Sequence, residues 1–360
     1  MVQNKILTII IPTYNMEKYL RKCLDSLIVS EENMQRLEVL VVNDGSKDSS
    51  SQIAHEYQEK YPQTFRVIDK ENGNYGSCIN RGLKEATGKY VKVLDADDYF
   101  DNSVFSNYLT FLLNVDVDLI INDYLIVDGN GTVIDSYNFP LPLEGEFTLG
   151  DLPEKTIEWL WHHGVAYRRD MFLHNGYVQT EGISYTDDEW IFKPMADVQK
   201  VTYFPYYLYR YLRGREGQTF DPKILKTEFG KRLVVLHSML NFYIEKRDCL
   251  GENANRYLTI KLMGRLQPAY IFYLIKNSTK EGNEELKRFD NELRVIAPSI
   301  YDALSKLSSS KGLHYIREWR GFNYNRFTPI LVMMRLKFKC KIMLGKGFQD
   351  KMDNKYKRIV

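Results

Sequence analysis

The first hundred residues alternate between short apolar runs and segments with helical periodicity. The apolar runs predict buried strands at residues 6–11, 37–42, 65–68 and 90–94. Between these runs, apolar side chains recur every three or four positions, which predicts helices over about residues 17–28, 49–61 and 77–86. Because strands that alternate with helices pair in parallel through right-handed crossovers, the sequence predicts an α/β fold with a mostly parallel, Rossmann-like sheet.

The pattern changes after residue 100. Further strands are predicted at residues 118–122 and 201–204, and Asp-Gly-Asn-Gly at 128–131 predicts a hairpin between residues 124–127 and 132–136. From Pro222 onward there are no strand signals, and helical periodicity covers about residues 224–246, 252–276 and 284–304. This shift predicts a sheet domain over residues 1–220 and a mainly helical region with a basic tail over residues 221–360.

The composition is that of a soluble globular protein, with 44% hydrophobic and 27% charged residues. No apolar run reaches the roughly 18 residues of a membrane-spanning helix, and the N-terminus lacks a signal-peptide layout. The four cysteines lie far apart without metal-ligand spacing. We therefore expect reduced thiols and a cytoplasmic protein, with the inner face of the cell membrane as an alternative location.

The net charge of +2 conceals an uneven distribution. Residues 311–360 carry 13 Lys and Arg against 3 Asp and Glu, so the preceding 310 residues hold a net charge of −8. A basic tail on an acidic body predicts an anionic partner surface, either lipid or nucleic acid. Within this tail, basic and apolar positions alternate over residues 327–344, which fits an edge strand, a membrane-interfacial segment or a helix packed on its own domain.

Polar residues follow each of the four predicted N-terminal strands. In chain order they are Thr13 to Asn15, Asp44, residues 72–76, and Asp95 to Asp98. Because the carboxyl ends of parallel strands meet at one edge of a sheet, these residues predict a ligand crevice. The three clustered carboxylates suit Mg²⁺ or Mn²⁺ bound together with substrate phosphates. The alternative is a solvated acidic turn before a helix capped by Asp101 or Asn102.

Two motifs of nucleotide-binding enzymes are missing from the sequence. No Gly-x-Gly-x-x-Gly follows the first strand, and no Gly-Lys-Ser/Thr phosphate loop is present. Their absence argues against a dinucleotide-dependent dehydrogenase and against a P-loop ATPase.

A second acidic cluster, Asp187, Asp188 and Glu189, precedes the apolar anchors Trp190 and Phe192. Carboxylates at the start of a helix can cap it and interact with its dipole, which is the structural interpretation. The functional interpretation is an ionised general base, since a helix N-terminus lowers the pKa of a carboxyl group.

Two other stretches hold candidate groups. The adjacent His162 and His163 are expected to pack and to form hydrogen bonds, with one of them lining the site as the less favoured alternative. Residues 209–219 hold Arg210, Arg213 and Arg215 beside glycines, which predicts either a loop that clamps a pyrophosphate or a solvated surface turn.

Five motifs together resemble the inverting family-2 glycosyltransferases of bacterial polysaccharide synthesis, which have the GT-A nucleotide-diphospho-sugar transferase fold. They are Ile-Ile-Ile-Pro-Thr-Tyr-Asn at 9–15, Val-Val-Asn-Asp-Gly-Ser-Lys-Asp at 41–48, Glu-Asn-Gly through Asn-Arg-Gly at 71–82, Ala-Thr-Gly-Lys-Tyr at 86–90 and Leu-Asp-Ala-Asp-Asp at 94–98. These motifs follow the family's order and spacing over about the first 100 residues. Residues 186–192 and 208–219 extend the resemblance, less tightly, to about residue 220.

The resemblance implies roles for the matching residues. Asp44 would accept a hydrogen bond from the uracil or ribose, and Asp95 would hold the ribose. Asp97, together with Asp95, would bind the metal as the family's Asp-x-Asp element. Asp187, or else Asp188, would be the acceptor-side base, although Glu189 can also be placed in that motif. The implied nucleotide-binding set is Pro12, Thr13, Tyr14, Asn15, Asp44, Asn72, Tyr75, Gly76, Asp95, Ala96, Arg213 and Arg215.

The chain departs from the family pattern at Ile79, where the family often has an arginine beside the nucleotide. Arg213 or Arg215, together with the loop at residues 73–76, is expected to replace that arginine.

The implied activity is the transfer of a hexose from a UDP-sugar, or another nucleotide-sugar, to a hydroxyl of a glycan or lipid-linked acceptor. The implied cofactor is Mn²⁺ or Mg²⁺, and the implied setting is cell-envelope polysaccharide synthesis, with peripheral membrane contact through the basic tail and no nucleic acid partner. Two alternatives stay open. One is a nucleotidyltransferase on the same sheet, and the other is a non-catalytic, membrane-docked scaffold of polysaccharide assembly.

Overall fold

The computed structural model describes residues 5–215, 222–308 and 312–343. The chain divides into two compact units. The first holds the chain up to Phe242 and Cys249–Leu258, and the second holds Tyr243–Asp248 and the chain from Thr259 onward. The first unit therefore extends beyond the boundary predicted near residue 220, and within this unit Phe242 packs on Phe192.

One mixed sheet organises the first unit. Its nine strands within the described residues are β1 (Leu7–Thr13), β2 (Leu37–Asn43), β3 (Phe65–Asp69), β4 (Tyr90–Val93), β5 (Tyr99–Phe100), β6 (Leu119–Val127), β7 (Val133–Tyr137), β8 (Val165–Arg168) and β9 (Val201–Leu212). Their order across the sheet is β3-β2-β1-β4-β8-β6-β9-β5, and β7 pairs with β6.

The first four strands are parallel, as their alternation with helices predicted. β1 pairs with β2 and β4, and β2 pairs with β3, all in parallel register. Nearly every residue of β1 and β2 is buried, which explains why both appear in the sequence as continuous apolar runs. The carboxyl ends of these strands therefore share one edge of the sheet.

The other half of the sheet is mixed. β8 lies between β4 and β6 and is antiparallel to both, whereas β9 is parallel to β6 and antiparallel to β5. The predicted strands at residues 118–122 and 124–127 are one continuous strand, β6, and its hairpin with β7 confirms the turn predicted at 128–131.

The prediction of a loop from residue 209 is wrong for its first four residues. β9 continues to Leu212, and it pairs with β6 along its length and with β5 through Tyr209 and Arg210. Residues 216–219 of the predicted loop lie outside the described residues.

Within the described residues, the α-helices are α1 (Leu20–Asp25), α2 (Glu31–Arg36), α3 (Ser50–Lys60), α4 (Asn74–Glu85), α5 (Asn102–Leu112), α6 (Glu154–Trp159), α7 (Asp170–His174), α8 (Asp187–Trp190), α9 (Pro222–Lys246), α10 (Glu252–Ile271), α11 (Lys280–Ile296), α12 (Pro298–Lys306), α13 (Tyr315–Gly321) and α14 (Pro329–Met343). The helix predicted over residues 284–304 is two helices, α11 and α12. Pro298 explains the break, because proline starts a helix well but cannot continue one.

The second unit is helical and has a polar network in its core. Arg320 of α13 pairs with the fully buried Asp290 of α11, and its guanidinium lies 3.4 Å from the ring centroid of Tyr301 in α12. Trp319 donates a hydrogen bond of 2.9 Å to Asn283. These contacts join the three helices. Pro329–Met343 form a helix, α14, so the edge-strand alternative for residues 327–344 is wrong, and Leu344 lies outside the described residues.

Within the described residues, every helix is too short or too polar to cross a lipid bilayer.

Asp101 caps α5, one of the two caps predicted for that helix. Its carboxylate accepts a hydrogen bond of 3.2 Å from the backbone N–H of Val104, and it pairs with Arg210 of β9 at 2.8 Å. Burial alone would raise the pKa of Asp101, but the hydrogen bonds from Ser103, Arg210 and Val104 lower it.

We expect Asp101→Ala to lower the free energy of unfolding by about 1 kcal/mol at neutral pH, as is usual for the loss of a helix cap. Because the pKa of Asp101 is lower in the folded protein, this stabilisation is present above its unfolded pKa and is lost as pH falls through the folded pKa. Urea unfolding at about pH 7 and about pH 3 measures the difference. Asp101→Asn, which can still cap the helix, is the control. An equal loss at both pH values would contradict the prediction.

Candidate active site

The acidic loop that follows β4 lies at the shared edge of the parallel strands. Asp98 is buried, and its carboxylate accepts hydrogen bonds of 2.7 Å from the Tyr209 hydroxyl and 2.7 Å from the Leu212 backbone N–H. Burial, and then the neighbouring Asp97 and Asp95 carboxylates, raise the pKa of Asp98 well above its usual range. Asp98 thus anchors the loop to β9, and Asp95 and Asp97 are left as candidate ligands.

Two side chains hold Asp95. Its Oδ1 accepts a hydrogen bond of 3.2 Å from the Tyr75 hydroxyl, and its Oδ2 lies 3.1 Å from Nε2 of His162. Burial alone would raise the pKa of Asp95, but the charge and hydrogen bond of His162, together with the Tyr75 hydroxyl, lower it. The Tyr75 hydroxyl and the His162 ring therefore fix the orientation of the Asp95 carboxylate.

His162 joins the two acidic clusters. While its Nε2 faces Asp95, its Nδ1 lies 3.8 Å from Oδ2 of Asp187. Burial alone would lower the pKa of His162, but the carboxylates of Asp95 and Asp187 raise it above the usual value. His162 therefore lies beside the candidate acids, as the less favoured alternative for the histidine pair predicted. It brings Asp95, which follows β4, and Asp187 to opposite sides of one ring.

His163 has the packing role that was expected of the pair. Its ring is buried beside Tyr211, at 4.6 Å between ring centroids, and Tyr209, at 4.8 Å. Burial, followed by the positive charges of His162 and Lys92, lowers the pKa of His163 well below its usual value.

Asp97 forms an ion pair with Arg215. Burial raises the pKa of Asp97, whereas the positive charge of Arg215 lowers it. The negative charge of Asp95 raises it further, and the net result is a raised pKa. Arg215 was predicted to contact the diphosphate. In the structure its guanidinium instead pairs with Asp97, a predicted metal ligand, and lies 5.6 Å from the ring centroid of Tyr19. A cation at Asp97 would thus have to replace the guanidinium as its partner.

The structure removes Glu189 from the candidate bases. Its side chain is fully buried, pairs with Lys193 at 2.7 Å, and accepts a hydrogen bond of 2.6 Å from the Thr180 backbone N–H. Glu189 therefore fixes the segment around Thr180, and the motif register that would make it the base does not fit. Asp187 and Asp188 are both partly exposed. Because α8 has only four residues, its dipole contributes little to keeping a carboxylate at its start ionised.

A cleft of 590 Å³ lies at the carboxyl ends of β1, β2 and β3. Its lining residues are Tyr14, Asn43, Gly45, Lys47, Asp69, Lys70, Glu71 and Asn72. Of the predicted nucleotide-binding residues, Tyr14 and Asn72 line this cleft. Asp44 is buried beneath, where its Oδ1 accepts hydrogen bonds from Lys70 Nζ at 2.5 Å and from the Gly73 backbone N–H at 2.9 Å.

Several predicted nucleotide-binding residues have structural contacts of their own. The Thr13 hydroxyl is buried and donates to the Ile11 carbonyl at 3.1 Å. Asn15, in the left-handed region with φ 54°, accepts a hydrogen bond of 2.8 Å from the Lys47 backbone N–H. This bond connects the loops after β1 and β2, and Pro12 precedes them as the penultimate residue of β1.

Gly76, Ala96 and Arg213 are also placed by packing. A Cβ atom at Gly76 would come within 2.0 Å of the Thr180 carbonyl oxygen, so only glycine lets these two backbones approach. Ala96 is buried, and the Arg213 guanidinium lies 5.9 Å from the ring centroid of Tyr211. The roles of these three residues toward a nucleotide stay predictions.

Comparison with known proteins bears on this geometry. Residues 8–175 match the family model described as "Glycosyl transferase family 2". Over these residues the chain is similar to glycosyl transferase family 2, in agreement with the resemblance of its motifs. The matched segment contains the first four strands, the three loops that line the cleft, the acidic loop and His162.

Two curated relatives and one solved structure illustrate the relationship. The uncharacterized glycosyltransferase YibD of Escherichia coli (strain K12) is 31% identical over 57% of this chain and 60% of its own length. The minor teichoic acid biosynthesis protein GgaB of Bacillus subtilis (strain 168) is 38% identical over 29% of this chain and 12% of its own length. The crystal structure of S. aureus TarS 1-349 in complex with UDP-GlcNAc has 21% identity and a TM-score of 0.64, and covers 89% of each chain.

These similarities differ in what they cover. The chain spans 34–60% of the length of three curated glycosyltransferase relatives, YibD among them. The likeness to TarS extends over nearly the whole chain and confirms the predicted GT-A fold.

Proposed function

We propose that the chain is a metal-dependent, inverting glycosyltransferase that moves a hexose from a UDP-sugar to a hydroxyl of a glycan or lipid-linked acceptor in cell-envelope polysaccharide synthesis. The observation that carries this proposal is the meeting of Asp95 and Asp187 on opposite nitrogens of His162. The match of residues 8–175 to the family model, the UDP-GlcNAc bound to TarS and the teichoic acid role in the name of GgaB support the class of donor and product.

The residues of the acidic loop fit a divalent cation. Carboxylate oxygens of Asp95, Asp97 and Asp98 lie within 4.8 Å of one another, and an all-oxygen set suits Mg²⁺ or Mn²⁺. Because the Asp98 carboxylate is committed to β9, Asp95 and Asp97 would hold the ion. When bound, such an ion offsets the charge that develops on the leaving diphosphate.

The chain's own residues account for the other steps. Tyr14 and Asn72 line a cleft at the sheet edge that can hold the nucleoside, and Asp95 is oriented by Tyr75 and His162. Asp187 accepts the proton of the acceptor hydroxyl as that oxygen attacks the anomeric carbon from the face opposite the diphosphate. A single displacement of this kind inverts the configuration, as in inverting glycosidases, where one carboxylate activates the incoming oxygen.

A panel of sugar nucleotides tests the proposal. The purified protein is incubated with UDP-, GDP- and dTDP-sugars and Mn²⁺, and nucleoside diphosphate release and the thermal shift are measured. We expect release from a UDP-sugar and stabilisation by UDP with Mn²⁺. Pyrophosphate release from a nucleoside triphosphate would instead favour a nucleotidyltransferase. No release and no stabilisation with any nucleotide would contradict the proposal and favour a scaffold.

Peripheral membrane contact is part of the proposal. In the second unit, Phe327 is 62% exposed, and Val332 and Leu336 lie one turn apart on the exposed face of α14. Lys337 and Lys339 beside them are exposed as well. Apolar side chains flanked by lysines match the surface of an anionic bilayer, where acyl chains and negative headgroups are both within reach.

We expect Leu336→Glu to reduce binding to anionic vesicles, because it places a negative charge on the apolar strip of α14. Co-sedimentation with phosphatidylglycerol-containing vesicles, compared with neutral phosphatidylcholine vesicles, measures the effect, and a loss of about tenfold or more is expected. Val295→Glu is the matched control, since Val295 is a 75% exposed apolar residue on another helix of the second unit. Equal binding of both variants and wild type would contradict the membrane contact.

A further inference from the structure

His162 lies between two carboxylates that the proposed function places on opposite sides of the reaction. Its Nε2 is 3.1 Å from Asp95 Oδ2, and its Nδ1 is 3.8 Å from Asp187 Oδ2. The side chain is only 6% exposed. A single imidazole therefore contacts both the donor-side and the acceptor-side acid.

The backbone around His162 is fixed. The residue begins the short helical turn His162–Gly164, which leads directly into β8, and β8 pairs with β4 and β6 inside the sheet. The ring also packs on His163, with 3.9 Å between ring centroids. An imidazole held in this way has a defined position relative to the acidic loop, because that loop follows β4, the neighbour of β8.

We infer that His162 is a positioning residue that couples the two carboxylates. Its Nε2 orients Asp95 toward the donor, and its Nδ1 holds Asp187 where the acceptor hydroxyl must be deprotonated. The inference rests on the proposed function and deepens it, since it assigns the alignment of donor and acceptor groups to one side chain.

The Nδ1 atom supports this role. It is buried and has no hydrogen-bond partner among the described residues, and a buried polar atom left without a partner is costly. A shift of about 1 Å would bring it within hydrogen-bond distance of Asp187. Catalytic hydrogen bonds are often long in the free enzyme and shorten in the complex with substrate.

Two substitutions separate the functions of the two nitrogens. The amide of Gln reaches about as far as Nε2, and the amide of Asn about as far as Nδ1. His162→Gln should therefore keep the contact with Asp95 and lose the one with Asp187, whereas His162→Asn should do the reverse. The readouts are kcat for UDP release from the UDP-sugar found in the panel and the dissociation constant of UDP with Mn²⁺ by calorimetry.

We expect His162→Gln to lower kcat about 10–100-fold while UDP affinity changes less than about threefold, as for partners that orient a functional group. His162→Asn should also weaken UDP binding about tenfold or more. In the double variant His162→Gln/Asp187→Asn, kcat should fall no further than in Asp187→Asn alone, because the two residues act as a unit. His174→Gln, which changes an exposed histidine on α7, is the control.

The outcomes distinguish this inference from the proposed function. If the wild-type protein releases UDP and His162→Gln keeps its kcat within about threefold, or if the losses in the double variant multiply, the inference is overturned. If the wild-type protein acts on no sugar nucleotide, the proposed function fails. Should the His162 variants not fold, ¹⁵N spectra of the histidine side chains provide another test. Asp187→Asn should shift the Nδ1 resonance of His162, and an unchanged resonance would overturn the inference.

Discussion

Asp187→Asn is expected to lower kcat by about 10²–10⁴-fold, the usual contribution of a general base. The amide keeps the size of the carboxylate but cannot accept the proton of the acceptor hydroxyl. Because Asp187 faces Nδ1 of His162 and Asp95 faces Nε2, the substitution leaves the donor-side contacts in place. UDP affinity should therefore stay within about threefold of wild type. Steady-state kinetics and calorimetry with UDP and Mn²⁺ measure the two quantities.

Asp188→Asn is the comparison for this experiment, since Asp188 is the neighbouring acid and is also partly exposed. The position of His162 favours Asp187, so Asp188→Asn should have the smaller effect on kcat. Asp170→Asn, on the surface of α7, controls for the removal of a negative charge. Near-normal turnover of both Asp187→Asn and Asp188→Asn would show that the base is elsewhere.

Asp97→Asn should abolish most Mn²⁺-dependent donor binding and turnover. Loss of one of two carboxylate ligands weakens a divalent site, and the charge offset that such an ion gives the leaving diphosphate is worth several kcal/mol. We expect UDP affinity in the presence of Mn²⁺ to fall at least about tenfold and kcat/KM about 10³-fold. The measurements are UDP titrations with and without Mn²⁺, together with kcat/KM for the UDP-sugar.

Asp98→Asn provides a contrast within the same loop. Asp98 accepts two hydrogen bonds from β9, so its replacement should lower the free energy of unfolding by about 1–3 kcal/mol. Asp97→Asn should leave the unfolding transition closer to wild type, because Asp97 pairs with Arg215, which follows the end of β9, and not with β9 itself. If Mn²⁺ raised the UDP affinity of Asp97→Asn to the same extent as that of wild type, Asp97 would not be a metal ligand.

Much of the N-terminal fold could be predicted because it is encoded locally. Strands buried on both faces are mostly apolar, and β1 and β2 are recognisable for that reason although they include the buried Thr8 and Glu38. Polar residues after such strands lie at one edge of a parallel sheet, so the order of apolar and acidic residues is enough to place the acidic loop there. The capping of α5 by Asp101 follows from equally local chemistry.

The mixed half of the sheet was harder to predict. Residues 209–212 were predicted to begin a loop, but they are part of β9, where β6 pairs with them and β5 pairs with Tyr209 and Arg210 from the other side. The position of β8 between β4 and β6 is likewise a matter of long-range pairing. Only this pairing places His162 beside Asp95, which lies 67 residues away along the chain.

The sequence alone was enough to predict the α/β class, the family resemblance and the sheet edge at which the acidic residues lie. Periodicity and motif spacing, from which these predictions come, are properties of residues that are close together in the sequence. Which of the acidic residues can bind a cation or act as a general base depends on the tertiary structure. Folding buries Glu189 in an ion pair with Lys193, ties Asp98 to β9, pairs Asp97 with Arg215, and leaves Asp95 and Asp187 facing one imidazole. The physical reason is that burial and charge pairing depend on residues distant in sequence, and these contacts determine what a carboxylate can do.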